Sequence, residues 1–488
     1  MKMKVINMLL IISLFSCSKD DDNSEVIIPE PIVYVQSITI NGSDITSGTT
    51  GQMTAEVLPT NANNKTIVWS SSNETIATIS SSGLITAYQN GTVIITATAI
   101  DKNVITATKE IKISSFTTTA YDYTVSTTAE LLSALANVSA GETIFLNGGN
   151  YVVNSKITLS ISGEEGNEIT ILGQTEGARV KLDFSSMSEN SSNQGIVLTG
   201  NFWHIKGIDI YKAGDNGLQI KGNNNLIEFC TFSECADTGL QIDDGASNNT
   251  ILNCDSYFNA DSSIENADGF ACKLSAGTGN KFIGCRAWQN LDDGWDGYLR
   301  NTDNITTTYE NCWSVKNGYL KDGTKGNGDG NGFKTGGSDD KLLKHNATYK
   351  NCIAVGNVYD GFDHNSNRGI VVLYNCAAYD NGKNYSFSST NPLEKLTIKN
   401  SSALGAYGSI NATTIDVTHN SWQNGIITSE EDFKGIDYSE LLASRKEDGS
   451  LPDVNFFHLN SDSDLIDKGI DVGLPFNGSA PDIGVFEY

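Results

Sequence analysis

Proline, histidine and positive charge are all scarce in this chain of 488 residues. Seven prolines stand against 47 glycines, with many Asn, Ser and Thr, a balance that suits an all-β solenoid better than a helical bundle. Lysine and arginine number 32 against 58 acids, a net charge of −26 that argues against nucleic-acid binding. An acidic protein that handles an acidic polymer needs local cations, either basic side chains or a bound metal. The five histidines are scattered and no cysteine pair has CxxC spacing, so zinc is a poor fit. Long apolar runs are missing too. Val5 to Phe15 is the most apolar stretch, and it is too short to span a bilayer comfortably.

That stretch follows Lys2 and Lys4 and ends in Leu14-Phe15-Ser16-Cys17, which resembles a bacterial lipobox with Cys17 as the lipidated residue. The alternative is an ordinary cleaved secretory signal. Ser18 to Asp22 resembles the acidic tract that sends Bacteroidetes lipoproteins to the cell surface. The expectation is an exported lipoprotein of the outer membrane, exposed at the cell surface and touching the membrane by its lipid alone. Residues 1–17 are the signal and 18–32 a polar tether. Over residues 33–115, short alternating strands recur between turns, as in Gly91-Thr92-Val93-Ile94-Ile95-Thr96-Ala97-Thr98. This part resembles the bacterial Ig-like (group 2) domain, a small β-sandwich, and is expected to serve as a stalk.

From residue 120 to 488 the character changes. Thr128 to Asn137 reads as a short capping helix with Leu131, Leu132 and Leu135 on one face. Two internal repeats follow. The first runs through Asn253-Cys254, Gly284-Cys285, Asn311-Cys312, Asn351-Cys352 and Asn375-Cys376, four copies of which reach Asn290, Asn317, Asn357 and Asn381. The second is a glycine followed by an apolar residue: Gly217-Leu218, Gly239-Leu240, Gly269-Phe270, Gly294-Trp295, Gly332-Phe333 and Gly361-Phe362. These glycines lie 22, 30, 25, 38 and 29 residues apart. A short minimal coil with irregular insertions is the signature of a right-handed parallel β-helix, whose strands stack about 4.8 Å apart while loops vary. The residue after each glycine points inward and its neighbours outward. Cys230, Cys254, Cys285, Cys312, Cys352 and Cys376 fall in one column as small buried side chains, with disulfides between stacked neighbours the alternative.

Outward positions on successive coils bring Asp268, Asp292, Asp293 and Asp296 onto two adjacent coils. Like charges so placed repel unless a cation sits among them, and calcium, with its flexible oxygen coordination, is the natural candidate. Lys334 is the single cation of its column, one coil further on. An isolated outward lysine is usually just solvated; beside four acids it becomes a candidate site residue. The glycines around it would let a polymer approach the backbone.

The stretches Ala267-Asp268-Gly269-Phe270, Leu291-Asp292-Asp293-Gly294-Trp295-Asp296, Gly332-Phe333-Lys334, Gly361-Phe362-Asp363 and the ending Pro481-Asp482-Ile483-Gly484 resemble polysaccharide lyase family 9, the pectate lyase group. The resemblance implies calcium held by Asp268, Asp292, Asp293 and Asp296, and Lys334 as the base of a β-elimination on an acidic plant-type polysaccharide (pectin or polygalacturonate). Lys334 must be neutral to act; a nearby cation would lower its pKa while Asp296 and Asp363 would raise it, and the cation is expected to win, giving an alkaline optimum. Asn331, Asp363 and Arg368 are candidates for holding substrate, with a solvated loop arginine as the plain reading of Arg368. Cys272 has no evident role. A β-helix hydrolase with paired carboxylates, a rhamnogalacturonan lyase and a non-catalytic glycan-binding solenoid remain alternatives. A monomer is expected.

Overall fold

The computed structural model describes residues 32–102, 104–115, 121–174 and 177–488. Cys17 and most of the 18–32 tether lie outside them. The chain divides into two compact units between residues 120 and 121. No helix among the described residues is long and apolar enough to cross a membrane.

The first unit is all β. Ser37–Asn41 pairs antiparallel with Thr54–Leu58, and Gly91–Ala99 lies between Ile67–Ser71 and Thr106–Ile113. Alternation along Gly91–Ala99 turns Val93, Ile95, Ala97 and Ala99 into a core shared with Ile85, Ile111 and Ile113, the pattern of a half-buried strand.

In the second unit every long sheet is parallel. Three sheets of 12, 10 and 10 strands run the length of a right-handed β-helix, each strand pairing with its equivalent one coil on. The helix Thr128–Asn137 closes the first coil, started by a capping box in which Thr127 and Glu130 exchange side-chain and backbone bonds. Its buried face carries Leu131 and Ala134, with Leu135 packed against the core, whereas Leu132 is 44% exposed. The expectation for Leu132 is thereby corrected: a helix turns 100° per residue, and 131, 134 and 135 already fill the inward stripe.

The residue after each repeat glycine does point inward. Phe270, Trp295, Phe333, Phe362 and Tyr385 form one column of rings with centroids 4.6 to 5.4 Å apart. The glycines are required by coil-to-coil contact: a Cβ on Gly294 would lie 2.6 Å from the Gly332 carbonyl oxygen, and one on Gly332 would lie 2.5 Å from that of Gly361. Gly336 and Gly337 likewise adopt positive φ against Asn367 and Asn365. The glycines near Lys334 therefore serve packing within the solenoid. The six column cysteines are buried free thiols, without disulfides.

Polar groups stack as well. Asn259, Asn290, Asn317, Asn357 and Asn381 form a buried ladder, each Nδ2 donating to the next Oδ1 at 2.8 to 3.1 Å. Each rung also accepts a backbone N–H across the turn, as Asn317 Oδ1 does from Asn290 N at 3.1 Å. The ladder thus satisfies, coil after coil, the turn amides that the sheets leave unpaired. Substituting Asn317→Ala is expected to lower the unfolding free energy by about 3 kcal/mol, because it strips partners from several buried groups. The urea midpoint measures this; a loss below about 1 kcal/mol would show that the ladder sets register without stabilising the fold.

Candidate active site

Strand register on the third sheet fixes what lies beside what. Gln219, Gln241, Ala271, Asp296, Lys334 and Asp363 are direct partners on successive coils. The position before each glycine forms a second file. Asp268 Oδ1 accepts from Asp293 N at 3.2 Å, and Asp293 Oδ1 from both Asn331 N and Asn331 Nδ2 at 2.9 Å. Asn331, expected to meet substrate, has its amide engaged in orienting Asp293, and its Oδ1 accepts from Asp360 N.

Asp268, Asp292 and Asp293 each present one oxygen within 4.8 Å of the others. Asp268 is 1% exposed and Asp293 fully buried. Asp296 stands beside this trio, with Oδ1 3.9 Å from Lys334 Nζ. Lys334 Nζ lies 3.0 Å from Asp293 Oδ2 and 3.1 Å from Asp329 Oδ2. Despite that proximity Asp293 Oδ2 has no hydrogen bond of sound geometry. Asp292 receives the backbone N–H groups of Asp329 and Gly330.

Burial and mutual repulsion show in the titration. Burial, then Asp268, pushes the Asp292 carboxyl up to about 7. Burial, then Asp292, drives Asp293 well above the carboxylate range, and burial raises Asp268. Asp296 goes the other way: burial would raise it, but Lys334 and Lys273 hold it below its usual value. Three convergent buried carboxylates that resist ionisation, one with an oxygen lacking a hydrogen bond, suit a hard divalent cation with oxygen ligands. Burial alone would depress Lys334, yet Asp293, Asp296, Asp292 and Asp329 together hold it well above the lysine range. The carboxylates win by themselves, so an alkaline-range base requires their charge to be offset.

Two participants escape the sequence reading. Lys273 Nζ is 2.6 Å from Asp268 Oδ2 and 3.4 Å from Asp296 Oδ2, making it a second ammonium in the cluster. Parity was the available signal, since Phe270 and Cys272 point inward and Lys273 leaves on the outward side. Asp329 comes from the long insertion before Gly332, where no periodicity places it. Cys272 is fully buried among Asn280 and Thr307, a packing thiol. Arg368 is half-buried, its backbone N–H donating to Leu343 O, and its guanidinium forms no salt bridge among the described residues.

A parallel β-helix with outward acids and a lysine on neighbouring coils defines the class: a polysaccharide lyase. The chain belongs to the Pel9A-like right-handed β-helix family, whose model matches residues 112–402, and residues 34–110 match the bacterial Ig-like domain (group 2). Pectate lyase L of Dickeya dadantii (strain 3937) is 37% identical over 369 residues, 73% of this chain and 84% of that protein. Among solved structures, pectate lyase Pel9A aligns with TM-score 0.67 and 35% identity over 73% of this chain and 90% of that one. A rhamnogalacturonan lyase aligns with TM-score 0.63 and 28% identity over 70% and 97%.

Asp363 stacks on Lys334, and burial, then Asp360, pushes its carboxyl up to about 7. A carboxyl raised in the folded state binds its proton more tightly there than in the unfolded chain. The stability so gained is full at low pH and is lost as pH rises from the ordinary carboxylate range to about 7. With chelator present, Asp363→Asn should therefore gain at least about 1 kcal/mol relative to the parent between about pH 5 and about pH 8. Denaturant unfolding at the two pH values measures the difference; a constant offset would place Asp363 in the ordinary range.

Proposed function

We propose that this chain is a calcium-dependent pectate lyase that cleaves homogalacturonan by β-elimination, with Lys334 as the base. The observation that carries the reading is the placement of Lys334 Nζ 3.0 Å from Asp293 in the trio of Asp268, Asp292 and Asp293. The trio, with Asp296 at its edge, would hold calcium. Bound there, calcium supplies positive charge against a uronate carboxylate and so makes the proton on the neighbouring C5 acidic enough to remove.

The chain's own residues do the rest. Lys334 takes the C5 proton on Nζ, which requires the amine to be neutral beforehand. The surrounding carboxylates oppose that loss until their charge is offset, so turnover is expected to rise toward alkaline pH. Asn331 keeps Asp293 in register through two hydrogen bonds. Water serves the leaving oxygen. Arg368 is assigned to a uronate carboxylate beyond the reacting sugar. The protein is assigned to the outer surface of the cell as a monomer, tethered by lipid on Cys17 with the Ig-like unit as stalk.

The structural likeness to a rhamnogalacturonan lyase, covering 97% of that chain, supports a second substrate reading, since loops between coils rather than the acid cluster would set the choice. A panel of uronate polymers distinguishes them. On polygalacturonate the parent is expected to generate the ultraviolet absorbance of an unsaturated product, and chelator should abolish it. Lys334→Met should lower kcat by about 10³-fold or more while calcium binding persists. New reducing ends without that absorbance would instead indicate hydrolysis, and full activity in the Lys334 variant would remove it from the chemistry.

A further inference from the structure

We propose that Lys273 is a positioning residue that fixes Asp268 and Asp296 for the cation, a role separate from that of Lys334; the proposal rests on the calcium reading above. Lys273 follows the strand Phe270–Cys272, whose middle residue, Ala271, sits in the outward file between Gln241 and Asp296. Alanine is the smallest member of that file, and it is fully buried although it faces outward. The Lys273 ammonium meets Asp268 on its own coil and Asp296 on the next.

The two lysines divide the acids between them. Lys334 pairs with Asp293, Asp296 and Asp329, whereas Lys273 pairs with Asp268 and Asp296. Among the described residues only Lys273 links Asp268, a member of the trio, to Asp296 outside it. Its grip is reinforced by Thr238 Oγ1, 3.2 Å from the same Asp268 oxygen, while Asp293 N holds the other. Asp296 is steadied in turn by Tyr298 N at 3.0 Å. Lys273 also lines a groove of about 560 Å³, together with Gln241, Asp237 and Arg300.

Two physical effects of removing Lys273 oppose each other. A cation beside a cation site repels the incoming ion, so its loss alone would tighten binding. Against this, Asp268 and Asp296 would lose the ammonium that ties them together, leaving Asp268 buried without its ion pair and free to swing. The second effect is expected to win, because one ammonium touches both carboxylates.

Calorimetric titration of calcium into the full chain at about pH 8 decides the matter, with circular dichroism and thermal unfolding as checks of the fold. Lys273→Met is expected to weaken calcium binding about 10-fold or more, as loss of a group that orients metal ligands does, while Lys273→Arg stays within about 3-fold. At saturating calcium, kcat of Lys273→Met should stay within about 10-fold of the parent, with the calcium needed for half-maximal rate raised, a split that Lys334→Met would not give. Should Lys273→Met fail to fold, Lys273→Gln, which is polar but too short to span both carboxylates, is read identically. Unchanged or tighter calcium binding in the neutral variants overturns the proposal. Absence of calcium binding by the parent overturns the calcium reading itself.

Discussion

Register between coils is the constraint on which everything else in the β-helix depends. Parallel pairing at about 4.8 Å spacing forces equivalent residues of successive coils into files, whatever their charge. Apolar files are content with this, and the column from Phe270 to Tyr385 gains ring stacking from it. The asparagine ladder gains amide bonds. A file of carboxylates repels itself, so Asp268 and Asp293 persist side by side because lysines and backbone amides offset their charge and because the aromatic and amide files hold the coils where they are. The active site draws its electrostatic tension from the stability of the rest of the solenoid.

Much of this was legible in the amino-acid sequence because a strand's period of two turns spacing into direction. Gly294-Trp295-Asp296 and Gly332-Phe333-Lys334 suffice to say which side chains enter the core and which stand outside, and the observed pairing of Asp296 with Lys334 follows from aligning the glycines. The helix was equally visible, though Leu132 was assigned to the wrong face because three leucines were grouped by type rather than by angle. What the files cannot convey is how far a long side chain travels. Lys273 lies just past the aligned strand pair, so its parity marks it as outward but does not show that it reaches across a coil into the cluster. Asp329 arrives on an insertion whose path depends on tertiary packing alone.

The glycines teach a related lesson about cause. Near Lys334 they suggested a backbone bared for substrate, yet Gly332 is small because the next coil's carbonyl occupies the space, and Gly336 and Gly337 because Asn367 and Asn365 do. In a stacked fold, a glycine is first explained by the coil beside it.

The last stretch of the chain covers the outer face of the second sheet. Phe433, Leu441, Phe456, Phe457, Leu459, Leu465 and Ile483 pack on Trp313, Val315, Ile353, Val355 and Ala377. Arg445 crosses back to the Asp255 carboxylate, already paired with Arg286. Solenoids can grow from one end, but here an apolar wall on coils between residues 313 and 377 waits for its cover until residues 433–485 have been added. A polypeptide built this way is at its stickiest while that wall is bare, and truncation ahead of Phe433 would leave the barrel of coils assembled with one side undressed.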